Sequence, residues 1–375
     1  MIEVLADYDG TVAARKRIVR AFEDHPVAAP RQPNARGLVS SLEQRVAADP
    51  GLFRFDREGF AELDDYQAGR FQCFSLGDLR NLAPQSSSGK KLSLWLFEGS
   101  GPATDIGALQ ASAPPASLFQ VASQFNCLEA PSPRLAEVHR YFDDPTQGPR
   151  ASISAFPGTL LRHYQAPGPE GRYVQKDGSP QLNLLHKVAW ESVARVKNGY
   201  LLPDSIGDPE SFADLLRDHF EDIEIGLHED VEVVLGANWD GAVEGSRTIH
   251  QVFTSTLAAG LYGMVDFERE EWLTICRQLL RAAYLGTLLS AAATGRKYAV
   301  LTLIGGGVFG NPVPLIWDSI VWACREVKKR LIEDLVVVVN GRDLSQSMNL
   351  KKPALDVRAL GGDVVTFTSH GVRLL

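Results

Sequence analysis

Three consecutive glycines follow an apolar run in the segment "KYAVLTLIGGGVFGNPVPLIW". Glycine tolerates positive φ and lets a ligand approach the backbone, and successive N–H groups before a helix attract anions. We therefore expect this turn to bind a phosphate or pyrophosphate, with a simple strand-to-helix connection as the alternative. The predicted ligand-binding residues of the turn are Gly305, Gly306, Gly307, Val308, Phe309 and Gly310.

Two common nucleotide-binding loops fit this turn poorly. Gly305, Gly307 and Gly310 satisfy the pattern G-x-G-x-x-G, but a dinucleotide site also requires an acidic residue at the end of the next strand. The next predicted strand, "LVVVVN", ends in Asn340 instead. No Lys-Ser or Lys-Thr follows the glycines, which excludes a Walker A loop. An NAD-dependent oxidoreductase is therefore disfavoured.

The elements around the turn predict an α/β layered domain. Short apolar runs predict strands, and two long amphipathic segments predict helices over "REEWLTICRQLLRAAYLGTLLSAAAT" and "VPLIWDSIVWACREVKKRLIE". Residues 1–65 are typical of a helical extension packed on the core, and residues 66–375 of the main domain. The predicted strands are "LSLWLF", "SLFQVAS", "SISAF", "VEVVL", "TIHQVF", "YAVLTLI" and "LVVVVN".

Composition limits the partners. The 375-residue chain is 45% hydrophobic and carries a net charge of −8, which disfavours nucleic acid or an anionic membrane as principal partner. Its four cysteines form no CxxC pair and its eight histidines no HExxH spacing, so we predict no metal and no required cofactor. The N-terminus lacks a signal-peptide pattern, which predicts a cytoplasmic protein or an effector delivered without a cleaved signal.

The segment "GGGVFGNP" resembles the second phosphate loop of the macrodomain family, with Phe309 in place of the aromatic residue that packs on the distal ribose. "RFQCFSLGDLRNL" is similar to the family's "GDIT" element, which implies adenine contacts for Asp78 and the adjoining Leu79. "SLFQVASQFNCLEAPSP" resembles the "VNAAN" strand, "RTIHQVF" the "VIHAVGP" strand and "LVVVVN" the terminal strand. The resemblance covers roughly Arg70 to Arg342 and implies a three-layer fold, a mixed central sheet between helices, that binds ADP-ribose.

A closer resemblance is to the arginine-specific ADP-ribosylhydrolases, a divergent macrodomain subgroup that includes bacterial effector-type enzymes. Its long forms contain sequence motifs like "VASQFNCLE", "DPTQGP" and "LTLIGGGVFGNP", and all three are present here. The resemblance implies distal-ribose contacts for Gln124 and Asn126, whose side chains could equally cap their own loop. Asn340 is a further predicted ligand contact. Residues 146–148 of "PTQGP" are either near the ligand or only a rigid connection.

Such hydrolysis needs a carboxylate near the positive charge that develops on the sugar and a group that activates water. The segment "HFEDIEIGLHEDVEVVLGANWDG" supplies three candidates. Asp230 is the first, because it precedes the predicted strand "VEVVL" at an end that can face a cleft. Asp222 could instead lie on an exposed acidic face, and Asp240, beside a glycine, is also typical of a turn.

The sequence therefore predicts a hydrolase that cleaves the N-glycosidic bond between ADP-ribose and a protein arginine side chain. Its partners would be an ADP-ribosylated protein and ADP-ribose as ligand or product. The alternative is a reader that binds ADP-ribose without cleaving it. The reader is favoured if Asp230 and Asp240 point away from the distal ribose.

Overall fold

The computed structural model describes residues 2–24, 34–86, 89–188, 192–236, 243 and 245–375. Within them a mixed eleven-stranded sheet lies between two layers of helices, as predicted. Side chains along a strand point alternately to the two faces of the sheet. On the strand that contains both residues, Ile225 packs on Gly286 of a helix on one face, and His228 packs on Gly158 of a helix on the other face.

The described helices are α1 (Val12–Glu23), α2 (Ala35–Ala48), α3 (Leu76–Leu82), α4 (Ile106–Ala111), α5 (Gln147–Ser154), α6 (Phe156–Tyr164), α7 (Pro209–Asp218), α8 (Glu270–Ala293), α9 (Val313–Val327) and α10 (Lys351–Ala359). The described strands are β1 (Phe53–Phe55), β2 (Ala61–Leu63), β3 (Tyr66–Ser75), β4 (Leu92–Glu98), β5 (Ser117–Ala122), β6 (Ala166–Gly168), β7 (Gly171–Tyr173), β8 (Ala194–Lys197), β9 (Tyr200–Ile206), β10 (Glu224–Glu232), β11 (Thr248–Thr254), β12 (Tyr298–Thr302), β13 (Leu335–Gly341), β14 (Val364–Thr368) and β15 (Gly371–Leu374).

The sheet has the strand order β1-β2-β3-β10-β11-β5-β12-β13-β4-β14-β15. The strands from β11 to β14 in this order run parallel, and the strands outside them pair antiparallel. The parallel strands are buried on both faces, which explains their continuous apolar runs such as "LVVVVN". Their carboxyl ends meet at one edge of the sheet, which we call the carboxyl edge.

The two long predicted helices are present as α8 and α9. Seventeen residues of α8 are buried, so its apolar surface is wider than a single stripe, and the chain turns away after it at Gly295, where φ is +63°. No helix among the described residues is long and apolar enough to cross a membrane.

Three sequence predictions of local structure differ from the observed elements. "SISAF" is helical rather than extended, because it joins α5 to α6 in fully buried surroundings, where a short apolar run does not distinguish strand from helix. The strand predicted at "VEVVL" begins earlier, at Glu224, and ends at Glu232. The region 1–65 contains α1 and α2, but it also supplies β1 and β2 to the main sheet.

Candidate active site

A cavity of about 500 Å³ opens at the carboxyl edge, over the ends of β5, β12 and β13. Ligands of α/β proteins commonly bind at this edge, because loops that diverge from adjacent parallel strands leave a crevice there. The cavity has four walls: the glycine turn, an aromatic cluster, the loop after β5, and the segment after β13.

The glycine turn presents free backbone amides to this cavity. Gly307, Val308 and Phe309 line it, and none of their N–H groups donates a hydrogen bond to a described residue. Successive unpaired amides before a helix N-terminus, here that of α9, form a site that favours an anion. The turn therefore has the geometry expected for phosphate binding.

Neighbouring side chains fix the path of the turn. Gly305 has φ of +72°, and a β-carbon there would lie 2.5 Å from Thr256 Cγ2. Buried Asn311 donates from Nδ2 to the carbonyl of Leu257 at 2.8 Å and accepts at Oδ1 from Thr256 Oγ1 at 3.2 Å. Gly310 is required for the same reasons, because its φ is +63° and a β-carbon there would lie 2.6 Å from the Cα of Gly260.

Three aromatic rings form the second wall. The ring centroid of Phe309 lies 5.6 Å from that of Tyr200 and 5.8 Å from that of Tyr262. The two tyrosine rings are 5.1 Å apart, and their hydroxyls donate to the carbonyls of Ala130 and Pro131, respectively. This cluster joins the glycine turn to the loop after β5 and offers an apolar face to a ligand.

A buried carboxyl group faces the cavity from the loop after β5. Glu129 is 7% exposed, and its Oε1 has no hydrogen-bond partner among the described residues. Burial, followed by the negative charge of Asp144, raises the pKa of Glu129 well above its usual range. Gly148 makes room for the carboxyl group, since a β-carbon there would collide with Oε1. The protonated acid is therefore a candidate proton donor.

The loop that carries Glu129 is held by buried hydrogen bonds. The amide of Glu129 donates to Tyr141 Oη at 2.8 Å, and that hydroxyl donates to His163 Nε2 at 2.8 Å. Burial lowers the pKa of His163 to about 3, so the imidazole is neutral and its Nε2 can accept this hydrogen bond. Arg162 Nε donates to the carbonyl of Cys127 at 3.1 Å. The position of Glu129 is thus set by the core.

Gln124 and Asn126, both predicted as ribose contacts, take different places in this loop. Gln124 lines the cavity, donates from Nε2 to Glu129 Oε2 at 3.3 Å, and leaves its Oε1 unpartnered. Asn126 lies outside the cavity wall. Its Nδ2 donates to Gln181 at 2.9 Å and its Oδ1 accepts from the amide of Leu128 at 3.1 Å, as in the loop-capping alternative.

Residues of "DPTQGP" do lie at the cavity. Asp144, Thr146, Gln147 and Gly148 line it on the side of Glu129. The carboxylate of Asp144 accepts from the amide of Thr146 at 2.8 Å and is half-buried. The site therefore contains two acidic side chains in different environments, one buried beside an amide side chain and one partly solvated.

The segment after β13 closes the far side of the cavity. Asn340 donates from Nδ2 to the carbonyl of Thr104 at 3.1 Å and leaves Oδ1 unpartnered, as does the hydroxyl of Thr302. Arg342 lines the same wall and donates from Nη1 to the carbonyl of Gly101 at 2.8 Å. The predicted contact at Asn340 thus lies at the cavity, together with a cationic side chain.

Asp230 is placed away from this cavity. It lies in the β-bulge of β10, with φ of +48°, and its amide donates to His250 Nδ1 at 3.0 Å. His250 precedes Thr254 by four residues of β11, roughly 13 Å at the usual rise per strand residue. Because Thr254 is at the carboxyl edge, Asp230 is at the opposite edge. Asp230, predicted to face a cleft near the sugar, therefore does not line the cavity that the glycine turn borders.

The remaining predicted residues also lie outside the cavity wall. Asp222 is in a surface turn, where His219 Nδ1 lies 2.9 Å from its carboxylate. Asp78 caps α3, accepting from Ser75 Oγ at 2.7 Å, and Leu79 is fully buried in the core. Asp240 lies outside the described residues. The cavity wall contains Gln124, Gly305, Gly306, Gly307, Val308, Phe309 and Asn340 from the predicted set.

Sequence reasoning missed Glu129 and Asp144. Both stand in the segments "QFNCLEAPSP" and "DPTQGP". For Glu129 the available signal was position, since it lies in the loop after β5, whereas Asp144 lies between a 3-10 helix and α5 and has no such signal. The described residues contain no group of three or more His, Cys, Asp or Glu side chains arranged to hold a metal.

No protein-family model matches the sequence, and no curated protein matches it. The structure is similar to poly(ADP-ribose) glycohydrolase from Thermomonospora curvata, at 13% identity and TM-score 0.44, covering 82% of this chain and 93% of that one. It is also similar to a point mutant of poly(ADP-ribose) glycohydrolase from Deinococcus radiodurans in complex with ADP-ribose, at 13% identity and TM-score 0.45, covering 88% and 99%. Because the TM-scores are below 0.5, these similarities assign no activity to this chain.

Proposed function

We propose that this protein binds ADP-ribose in the cavity at the carboxyl edge and hydrolyses the N-glycosidic bond between ADP-ribose and a protein arginine side chain. The observation that carries the proposal is the combination, in one cavity, of unpaired turn amides and a buried carboxylic acid whose Oε1 has no described partner. The amides suit a pyrophosphate, and the acid suits a glycosidic bond.

The walls suggest how the ligand lies. The pyrophosphate would accept hydrogen bonds from Gly307, Val308 and Phe309, and the ribose next to the scissile bond would pack on the aromatic cluster beside Glu129. The adenosine half would then extend toward Asn340 and Arg342. A cavity of about 500 Å³ is within the range of small-molecule sites.

The two acids divide the chemistry. Glu129, held protonated by burial, donates its proton to the departing guanidine nitrogen as the bond to the anomeric carbon breaks. The carboxylate of Asp144 stabilises the positive charge that develops on the sugar, and it takes a proton from the water that attacks the anomeric carbon. The products are ADP-ribose and the unmodified arginine. Asp144 then loses the proton that it took from the water, and Glu129 takes up a proton through solvent, which restores both acids.

Arginine is proposed as the leaving group on two grounds. The sequence motifs that resemble those of the arginine-specific subgroup include the segments that contain Glu129 and Asp144. The carboxylate of Asp144 also suits a guanidinium, which is positively charged before the bond breaks and forms hydrogen bonds with carboxylates.

A second candidate is a reader that binds ADP-ribose without cleaving it. The observation that favours it is the placement of Asp230 and Asp222 outside the cavity wall, since these residues were expected to act at the distal ribose. In this case Glu129 and Asp144 would only orient the ligand.

The test is release of ADP-ribose from arginine-, serine- and glutamate-modified proteins by the wild type and by Glu129→Gln, with ADP-ribose affinity measured by calorimetry for both. The hydrolase proposal expects the wild type to clear the arginine adduct and the variant to bind but not cleave. Tight binding with every adduct intact would support the reader, and absence of binding would reject both.

A further inference from the structure

Two exposed apolar side chains lie in the segment 260–268, which we call the rim segment. Leu261 is 86% exposed and Met264 is 100% exposed, and Val308 of the glycine turn is 39% exposed. Large apolar side chains that cluster on the surface commonly mark a contact site for another macromolecule. The position of this cluster indicates which one.

The rim segment is joined to the glycine turn by the backbone. The amides of Ala259 and Gly260 donate to the carbonyl of Phe309 at 2.8 Å, and that of Leu261 donates to Val308 at 3.2 Å. Gly260 and Gly310 approach closely, since a β-carbon on Gly310 would lie 2.6 Å from the Cα of Gly260. The exposed apolar residues therefore lie directly above the wall of the cavity.

The rim segment is also joined to the acidic end of the cavity. Tyr262 donates to the carbonyl of Pro131 at 2.9 Å, two residues after Glu129. Its ring packs on Tyr200, whose hydroxyl donates to Ala130. A leaving group that receives a proton from Glu129 would thus emerge beside Leu261 and Met264, whereas Arg342 lines the wall at the other end.

Three exposed carboxylates lie in or beside the rim segment. Asp266 and Glu268 follow the apolar residues, and Asp204 adjoins Pro203, which packs against Gly263. All three carboxylates are exposed, and none forms an ion pair with a described basic side chain. Unpaired carboxylates beside an apolar surface complement a segment that carries both apolar and basic residues.

We propose that the rim segment is the docking surface for the polypeptide that carries the ADP-ribosyl group. The occupant is a segment of the modified protein with an apolar residue near the adduct, seated on Leu261, Met264 and Val308, and with basic residues facing Asp204, Asp266 and Glu268. This inference rests on the proposed function, because it identifies the leaving-group side of the cavity from Glu129.

The test compares two substrates, an ADP-ribosylated protein and ADP-ribosylated free arginine. For the variant Leu261→Ser/Met264→Ser we expect KM for the protein adduct to rise at least about tenfold, as for an interface contact worth about 1.4 kcal/mol. The kcat/KM for the free arginine adduct should stay at the wild-type value. The charge reversal Asp266→Lys/Glu268→Lys should raise KM for the protein adduct in the same selective way. The control is Leu355→Ser on α10, which removes a side chain that is 68% exposed and is not part of the cavity wall.

Equal loss on both substrates would overturn the proposal, because it would mean that the variants only disturb the glycine turn. An unchanged KM for the protein adduct would overturn it too, as would a wild-type dimer, seen by sedimentation, that these variants dissociate. If the wild type cleaves neither substrate, the proposed function fails separately. Docking is then judged by binding of the modified protein, and equal affinities of wild type and variant would reject it.

Discussion

Acidic side chains lie at both edges of the central sheet, but they differ in burial and in ion pairing. At the edge away from the cavity, Glu229 accepts from Arg70 at 2.6 and 2.8 Å, and Asp230 lies 3.4 Å from His250 and 3.8 Å from Arg296. At the carboxyl edge, Glu129 is buried, and no described cationic side chain forms an ion pair with it. The carboxylates of Glu229 and Asp230 are thus paired with basic side chains of the protein, whereas the carboxyl group of Glu129 is available to a ligand.

This difference shows why an acidic cluster in a sequence is a weak guide to catalysis. Charged groups that satisfy one another stabilise the local structure and have little capacity left for a substrate. Polar atoms that are buried without a partner are rare in proteins and indicate a function or a missing partner. Four such atoms, all oxygens, line the cavity at the carboxyl edge: Gln124 Oε1, Glu129 Oε1, Thr302 Oγ1 and Asn340 Oδ1. At the opposite edge the buried atoms without a described partner are nitrogens, His250 Nε2 and Arg296 Nε, and the carboxylates are paired.

The largest expected effect comes from exchanging one acid at each edge. Glu129→Gln should lower kcat for the arginine adduct by about 100- to 10,000-fold, the usual contribution of a general acid, with ADP-ribose affinity retained. Asp230→Asn is the matched control and should leave turnover near the wild-type value, because Asp230 lies at the other edge. Single-turnover rates measure both. A larger loss of rate in Asp230→Asn than in Glu129→Gln would contradict this assignment and indicate that Asp230 is catalytic.

The next effect separates two neighbouring glycines of the turn. Gly305→Ala should cost about 1–2 kcal/mol for its left-handed backbone, and more for the contact with Thr256. Gly307→Ala should be tolerated, since a β-carbon there meets no atom within 4 Å. Denaturant midpoints and ADP-ribose affinity measure both. Equal destabilisation would show that the turn is not held as described.

A third prediction uses the pH dependence of stability. The buried Glu129 keeps its proton to a higher pH when folded than when unfolded, so the folded chain binds more protons above the unfolded pKa. The free energy of unfolding should therefore fall as pH rises from about 4.3, the unfolded pKa, to the raised folded pKa, by about 1.4 kcal/mol per pH unit. Glu129→Gln should remove this decline. Urea unfolding from pH 4 to 8 checks it, and identical slopes would contradict a buried neutral acid.

The smallest effect is a shift of the pH profile that follows from the coupling of the two acids, in addition to the loss of turnover expected when the Asp144 carboxylate is removed. Asp144→Asn removes the negative charge that helps to raise the pKa of Glu129, so that pKa should fall. The alkaline limb of the kcat/KM profile, which reports loss of the proton from Glu129, should move to lower pH. A limb that stays in place or moves upward would mean that the two carboxyl groups do not interact.

Much of the fold could be predicted from the sequence. The buried parallel strands have continuous apolar runs, and α8 and α9 have helical periodicity, because those patterns reflect burial along one element. The glycine turn was predictable for the same local reason. "SISAF" was not, because its burial comes from the helices and strands around it rather than from its own pattern.

The candidate site was harder to predict because it depends on contacts between distant residues. Glu129 and Gly148 are 19 positions apart, and nothing local indicates that the glycine makes room for the carboxyl group. The importance of Glu129 follows from burial without a cationic partner, which only the folded chain determines. Asp230, in contrast, stands in the segment with the most acidic residues and is engaged with its own neighbours.

The most direct test of the account is hydrogen–deuterium exchange of the wild type with and without saturating ADP-ribose, followed at single-residue resolution. We predict slower exchange at the amides of Gly307, Val308 and Phe309, which have no described acceptor in the free protein, and unchanged exchange at Glu229 and Asp230. Protection at Glu229 and Asp230 without protection of the turn would contradict it, and would place the ligand at the opposite edge of the sheet.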